Sequence, residues 1–193
     1  PITEYCDQNR LSLEARIELF RQVCSGVQHA HQKGVMHRDL KPGNVLVTVQ
    51  DGKPMPKIID FGLAKAMDHR LVEATLFTGH GQIIGTPEYM SPEQANLNNI
   101  DIDTRSDVYS LGVLLYHLLT GELPHQWDTS SPVAMQRSLA TEEPAKPSTV
   151  VSKASTALGR PTPLPKSNAP TDVALLRLTS SRQLAAMLRG DLD

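Results

Sequence analysis

The sequence predicts a mainly α-helical fold with one small β-hairpin, and three observations support this class. Apolar residues recur every three or four positions along residues 13–30 and again along residues 108–118, as they do on the buried face of a helix. An apolar, β-branched run at 45–49 and the strand-like segment PKIID at 56–60 are separated by the turn-forming residues QDGKP, as in a hairpin. The length of 193 residues is typical of one domain, with room for an extension.

The first long helix is predicted to begin after Ser12, a residue type that favours the N-cap position, and Glu14 suits its first turn. Gly34 is expected to end the helix. The polar stretch HRDLKPGN at 37–44 therefore lies in a loop that directly follows this helix. The apolar face is predicted to consist of Leu13, Ile17, Phe20, Val23, Val27 and Ala30.

The hairpin that follows brings polar residues of two chain segments together. Asn44 immediately precedes its first strand, and Asp60 ends its second strand sixteen residues later. With Asp39 these residues supply the carboxylate and amide oxygens that Mg²⁺ prefers. Lys41 adds a positive charge suited to a phosphoryl group, and Asp39 is placed to accept a proton from an attacking hydroxyl. Together these groups indicate phosphoryl transfer.

A second helix is expected after a loop-like stretch at 63–92. Thr104 and Asp107 have the spacing of a capping signature, and Gly121 is expected to close the helix. Because the helix is apolar around most of its circumference, we expect it to lie at the centre of the core. Its apolar positions are Val108, Leu111, Leu115 and Leu118.

The composition changes at residues 143–170, where prolines alternate with serine, threonine, lysine and alanine. This segment is predicted to be a mobile linker or insert, with a proline-motif ligand for a partner as the alternative. Ser180 and Gln183 form a capping box that begins a last helix. The predicted division is thus 1–142, the linker, and a helical remainder at 171–193. The last helix is expected to place Leu184, Met187 and Leu188 on one face and to end at Gly190.

Several partners and sites are not expected. The net charge of −2, without a basic stripe, argues against nucleic acid. The longest apolar run, at 111–119, is far short of the roughly 20 residues that span a bilayer. Cys6 and Cys24 form no metal or disulfide pattern, which fits a reducing, cytoplasmic setting. His29 and His31 are two positions apart on a helix and point in different directions, which argues against a metal pair.

The chain resembles the eukaryotic-type, or Hanks-type, protein kinases in several motifs. HRDLKPGN resembles their catalytic loop, and Asp60-Phe61-Gly62 resembles their metal-binding motif. GTPEYM at 85–90 is similar to the substrate-docking loop, SPE at 91–93 to the Ala-Pro-Glu motif, and SDVYSLG at 106–112 to a buried helix. The residues found in these motifs resemble those of a bacterial serine/threonine kinase. The resemblance implies the helical C-terminal lobe, with the N-terminal β lobe absent.

The resemblance also implies roles for individual residues. Asp39 would be the catalytic base, and Lys41 would contact the γ-phosphate of ATP. Asn44 and Asp60 would hold Mg²⁺, with Mn²⁺ as an alternative ion. Leu46 would form part of the floor beneath adenine.

Further residues would support or regulate this site. Thr86 would bridge Asp39 and Lys41 in the serine/threonine branch. Arg38 would grip a phosphorylated threonine of the activation segment. Thr75 and Thr78 are the candidate phosphosites, although each also fits an ordinary loop threonine. Structural support would come from His37, Arg38, Glu93 and Asp107, and Asp107 also fits a local role as a capping carboxylate.

Some parts of such a kinase are not found before residue 37: the glycine-rich loop, the strand lysine and the helix glutamate that grip ATP. No arginine partner of Glu93 is assignable either. A chain that begins at Pro1 is expected to be a piece of a longer one. The parent protein is expected to phosphorylate Ser and Thr of protein substrates, and the isolated piece to bind ATP poorly. The parent protein could carry a membrane anchor elsewhere, whereas no membrane contact is expected from this segment.

Two other functions remain open. The first is a small-molecule phosphotransferase of the aminoglycoside or choline kinase type, against which Arg38, Lys41 and the GTPEYMSPE segment argue. The second is a pseudokinase or docking module, against which the intact set of Asp39, Asn44 and Asp60 argues.

Overall fold

The computed structural model describes residues 1–61, 87–95, 102–125, 142–158 and 173–193. The mainly α-helical class with one hairpin is confirmed, and none of the helices in these ranges is long and apolar enough to cross a membrane. The helices are α1 (Ile2–Gln8), α2 (Leu13–Gln32), α3 (Pro92–Ala95), α4 (Thr104–Thr120), α5 (Pro147–Leu158) and α6 (Ser181–Leu188). The strands are β1 (Val45–Gln50) and β2 (Lys53–Ile58), and 3₁₀ turns occur at Pro42–Asn44, Pro87–Tyr89 and Leu175–Arg177.

Helix α2 begins and ends where the sequence predicts. The Ser12 hydroxyl accepts a hydrogen bond from the Ala15 amide at 3.3 Å, and Gly34 follows the helix with φ of 73°. The buried face is shifted from the predicted one. Arg16 and Leu19 are buried, whereas Ile17, Phe20 and Ala30 are only half-buried. The shift follows from Arg16, whose guanidinium finds carbonyl acceptors inside the core.

The hairpin is longer than predicted. The strands pair from Val45 opposite Ile58 to Gln50 opposite Lys53, so β2 begins three residues earlier than expected and ends before Asp60. The turn is only Asp51-Gly52, and both residues have positive φ, at 51° and 73°, as type I′ hairpin turns require. The prolines of β2 are tolerated because a strand at the edge of a sheet needs no amide donor on its outer side.

Helix α4 lies at the centre of the core, as predicted. Leu111, Leu114 and Leu118 pack with side chains of α1, α2 and the hairpin, and Leu119 packs with those of α5 and α6. Val108, expected on the buried face, is instead 60% exposed.

The N-cap of α4 was predicted one residue too late. Asp103, in extended backbone, accepts from the Arg105 amide at 2.7 Å, so Thr104 is the first helical residue. Gly121 closes the helix in the left-handed region, as predicted.

Helix α5 occupies the first half of the predicted linker, and that prediction is wrong for this half. Pro147 is its first residue, a position where the missing amide hydrogen of proline costs nothing. Asp193 accepts from the Ser148 amide at 2.9 Å and from the Ser148 hydroxyl at 2.8 Å. Val151 is buried. Residues 159–170 lie outside the described part of the chain.

Helix α6 has the predicted capping box between Ser180 and Gln183. Its buried side chains are Leu184, Ala185 and Leu188, whereas Met187 is 42% exposed and does not belong to the buried face. Gly190 follows the helix with a positive φ of 108°.

Candidate active site

The loop at 37–44 is held by a carboxylate from the first turn of α4. Asp107 is 1% exposed and accepts from the His37 amide at 2.8 Å and from the Arg38 amide at 2.7 Å. Its third donor is His31 Nε2 of α2, at 2.7 Å. A buried carboxylate needs such donors to offset the loss of water. Asp107 therefore fastens the loop, while the capping of α4 falls to Asp103.

Arg38 has an unusual backbone conformation between these anchors. Its φ is 68°, in the left-handed region that costs a non-glycine residue energy. Its amide donates to Asp107, and its carbonyl accepts from Gln94 Nε2 at 2.7 Å. The Nε atom of its guanidinium is buried and has no hydrogen-bond partner among the residues that the structure describes.

His37 connects the loop to the chain after the hairpin. The buried ring accepts from the Asp39 amide through Nδ1 at 3.3 Å, so Nε2 carries the proton and donates to the Ile59 carbonyl at 2.9 Å. The ring also lies 4.8 Å from that of Phe61. The buried His37 ring therefore contacts both segments that carry candidate site residues, the loop at 37–44 and the residues after β2.

Asp39, Lys41 and Asn44 converge at the end of the loop. Lys41 Nζ lies 2.8 Å from Asp39 Oδ2, and Asn44 Nδ2 donates to the same oxygen at 3.0 Å and to the Asp39 carbonyl at 2.8 Å. The Asp39 side chain is 52% exposed, so its carboxylate is accessible to a substrate. Asn44 is buried, and its side-chain amide holds the loop through its two hydrogen bonds to Asp39.

Asp60 is placed next to this group by the hairpin. The Ile59 amide donates to the Asn44 carbonyl at 3.0 Å, so the exposed Asp60 follows one residue after that contact. Asp60 has a φ of 61°, a second left-handed residue in the site. Leu46, two residues after Asn44 on β1, is half-buried.

The donor set fits a magnesium-like cation better than a transition metal. The side-chain nitrogen of Asn44, Nδ2, donates two hydrogen bonds to Asp39. The side-chain oxygen of Asn44 would then be available, together with the Asp60 carboxylate, as a cation ligand. Mg²⁺ is typically held by one or two carboxylates together with phosphate oxygens and water. Within the described ranges there is no cluster of three or more His, Cys, Asp or Glu residues that suits a metal held by protein alone.

The segment at 87–95 is attached to α4 at several points along the helix. The Ser106 hydroxyl donates to Glu93 at 2.6 Å, and the Ser110 hydroxyl donates to the Tyr89 carbonyl at 2.7 Å. The Tyr89 hydroxyl forms a hydrogen bond of 2.6 Å with His117 Nδ1. Burial lowers the pKa of His117 and raises that of Tyr89, so both groups are neutral near pH 7.

Residues 2–167 match the family model of the protein kinase domain. The chain belongs to the protein kinase family. It is 44% identical over 115 residues to the serine/threonine-protein kinase Pkn1 of Myxococcus xanthus, covering 59% of this chain and 16% of that protein. Over 132 residues, or 68% of the chain, it is 44% identical to pkn3 of the same organism and 40% identical to PknB of Mycobacterium leprae. Those stretches cover 23% and 20% of the two relatives, so the kinase chain spans about a fifth of their length.

The kinase motifs are described only in part. Thr86 of the substrate-docking loop and the candidate phosphosites Thr75 and Thr78 lie outside the described residues, as does Gly62. One contact residue was missed by the sequence reasoning: Gln94, which reaches the Arg38 carbonyl. Its signal was the S-x-x-Q spacing from Ser91, the same capping-box pattern that was recognised at Ser180.

Proposed function

We propose that the chain is the substrate- and metal-binding part of a serine/threonine protein kinase, which transfers the γ-phosphate of ATP to Ser and Thr hydroxyls of proteins. The observation that carries the proposal is the convergence of Asp39, Lys41 and Asn44 within 3.0 Å contacts, with Asp60 adjoining Asn44. Kinases of this family use ATP and a divalent cation, and here Mg²⁺ is the expected ion, with Mn²⁺ as an alternative.

Each residue of this group has a distinct task. Asp39 orients the substrate hydroxyl and accepts its proton through the accessible carboxylate. Lys41, already within 2.8 Å of Asp39, neutralises charge on the transferring phosphoryl group. Asn44 and Asp60 supply oxygen ligands to the cation that accompanies ATP. Leu46, on β1, forms part of the floor beneath the adenine of ATP.

Regulation by phosphorylation is part of the proposal. The Arg38 Nε is buried and has no partner within the described ranges, which is costly unless an acceptor is supplied. A phosphate on Thr75 or Thr78 supplies such acceptors. Thr86 is proposed to contact Asp39 and Lys41.

The remaining ATP-gripping elements belong to another part of a longer protein. The 193 residues contain no G-x-G-x-x-G motif, so a separate lobe has to cover the phosphates. We therefore propose that the chain works with an N-terminal lobe in a cytoplasmic setting, and that the isolated chain transfers phosphate negligibly.

The test is phosphorylation of a generic Ser/Thr protein by the full-length protein that carries this chain. Asp39→Asn is expected to lower kcat by a factor of about 10² to 10⁴, the usual contribution of a general base. Asp51→Asn is the matched control, because Asp51 lies exposed in the hairpin turn, where asparagine also accepts a positive φ. Equal activity of the Asp39→Asn variant and the parent would show that the assignment is wrong. Phosphorylation of an aminoglycoside or choline, without any protein product, would favour the small-molecule alternative.

A further inference from the structure

The Gln94 side chain joins the substrate-side segment at 87–95 to the candidate catalytic loop. Its Nε2 donates to the Arg38 carbonyl at 2.7 Å, and its Oε1 accepts from the Ser91 amide and the Ser91 hydroxyl, both at 3.1 Å. The orientation of the amide group follows from its partners. A backbone amide only donates and a carbonyl only accepts, so exchanging the two ends of the Gln94 amide would break both sets of contacts.

The peptide unit that Gln94 contacts is the one that leads into Asp39. Its carbonyl, from Arg38, accepts from Gln94, and its N–H, from Asp39, donates to His37 Nδ1 at 3.3 Å. The preceding N–H, of Arg38, donates to Asp107. Because φ of Arg38 is 68°, this conformation persists only if surrounding contacts fix it. Gln94 is the contact that fixes the carbonyl side.

Helix capping accounts for only half of the Gln94 contacts. The Ser91-to-Gln94 spacing is that of a capping box, in which the side chain at the fourth position accepts from the N-cap amide. A glutamate satisfies that requirement as well as a glutamine. The bond to Arg38, however, needs the amide nitrogen, since a carboxylate oxygen facing the carbonyl would be repelled. The Arg38 contact therefore explains why an amide is suited to this position.

We propose that Gln94 is a positioning residue for Asp39. It fixes the Arg38–Asp39 peptide from the side of the 87–95 segment, so the conformation of that segment sets the direction in which the Asp39 carboxylate points. This inference rests on the proposed kinase function, in which Asp39 accepts the proton of the substrate hydroxyl. The site responds to the docking segment through one side-chain amide.

Two variants of the full-length protein separate positioning from folding. Gln94→Glu keeps the acceptor for Ser91 and loses the donor to Arg38, whereas Gln94→Met loses both. Both are expected to lower kcat about tenfold with the KM for ATP unchanged, because one hydrogen bond and the alignment of a reacting group are lost. Gln94→Met is expected to lower the unfolding temperature more than Gln94→Glu, because it also removes the acceptor for the Ser91 amide and hydroxyl. Gln28→Glu, at an exposed position of α2, makes the same charge change away from the site and serves as the control.

The outcomes separate this inference from the kinase assignment, with Asp39→Asn measured in parallel. If Asp39→Asn is inactive and Gln94→Glu retains the parent kcat, the positioning role is overturned and the kinase function stands. The role is likewise overturned if only Gln94→Met loses kcat, because the loss then follows stability. If Asp39→Asn retains full activity, the proposed function itself fails. A tenfold loss of kcat in both Gln94 variants, with Gln28→Glu unchanged, supports the inference.

Discussion

Arg177 offers a quantitative test of what holds the C-terminal segment to the core. The side chain is 2% exposed and donates from Nε to the Leu119 carbonyl and from Nη2 to the Leu118 carbonyl, both at 2.8 Å. These two carbonyls lie in the last turn of α4, where no helical amide follows to bond them. A cation at this end of a helix also interacts favourably with the helix dipole. Burial lowers the pKa of Arg177 to about 10, so the guanidinium stays charged near pH 7.

The cost of removing this guanidinium follows mainly from the two buried carbonyls, since its third acceptor, the Val173 carbonyl at 3.1 Å, is only partly buried. A buried acceptor left without a donor costs about 1–3 kcal/mol. Leu118 keeps a longer contact of 3.5 Å with Arg16, so its loss is partial, and the removal of one of two neighbouring buried cations returns some free energy. Arg177→Met keeps most of the side-chain volume. We therefore expect it to lower the free energy of unfolding by about 3 kcal/mol, or the unfolding temperature by roughly 6–12 °C for a chain of this size.

The assay is urea unfolding of the chain, followed by circular dichroism of the helices. Arg182→Met is the matched control, because Arg182 is exposed on α6, and it is expected to change stability by less than about 0.5 kcal/mol. If Arg177→Met costs no more than Arg182→Met, the two carbonyls do not depend on Arg177, and the account of the α4 terminus is wrong.

Two further predictions concern α4 and its C-terminus. Because the folded-state pKa of His117 lies below the ordinary value of 6.5, the unfolded state binds more protons, and stability is expected to fall as pH drops below 6.5. His117→Asn, which keeps an acceptor for Tyr89, should flatten that part of the curve of unfolding free energy against pH, and an unchanged slope would contradict the prediction. Gly121→Ala should cost more than the roughly 1 kcal/mol of Gly34→Ala in thermal unfolding. Both glycines have positive φ, but only at Gly121 does an added Cβ meet a neighbour, Val173 Cγ2, at 3.0 Å; equal costs would contradict this reasoning.

Local patterns were sufficient to predict the elements that carry the site. The caps at Ser12 and Ser180 and the ends at Gly34 and Gly121 depend on neighbouring residues alone, and all four were predicted. The hairpin brings Asn44 beside Ile59 whatever the rest of the chain does, so the proximity of Asp60 was also accessible from the sequence.

The buried arginines were not accessible in this way. Arg16 was not among the residues predicted on the buried face of α2, yet it is 1% exposed and donates to carbonyls of Cys6, Leu11 and Leu176. Every residue has a carbonyl, and the sequence does not reveal which carbonyls remain unpaired inside the fold. The same limit applies to α5, where prolines and small residues suggested a linker. The Asp193 carboxylate that binds its first turn lies 45 residues away.

The polar residues of α4 show how a buried helix organises the site. Ser106, Asp107 and Ser110 are each at most 3% exposed, and a buried polar group needs a partner. Their partners are Glu93, the loop at 37–44 and the Tyr89 carbonyl, so each polar side chain fixes a segment with a candidate role in the reaction. In this helix, therefore, the buried polar residues correspond to attached segments and not to a local cap. For Asp107 the sequence left both interpretations open, and burial is what separates them, since a capping carboxylate needs no place in the core.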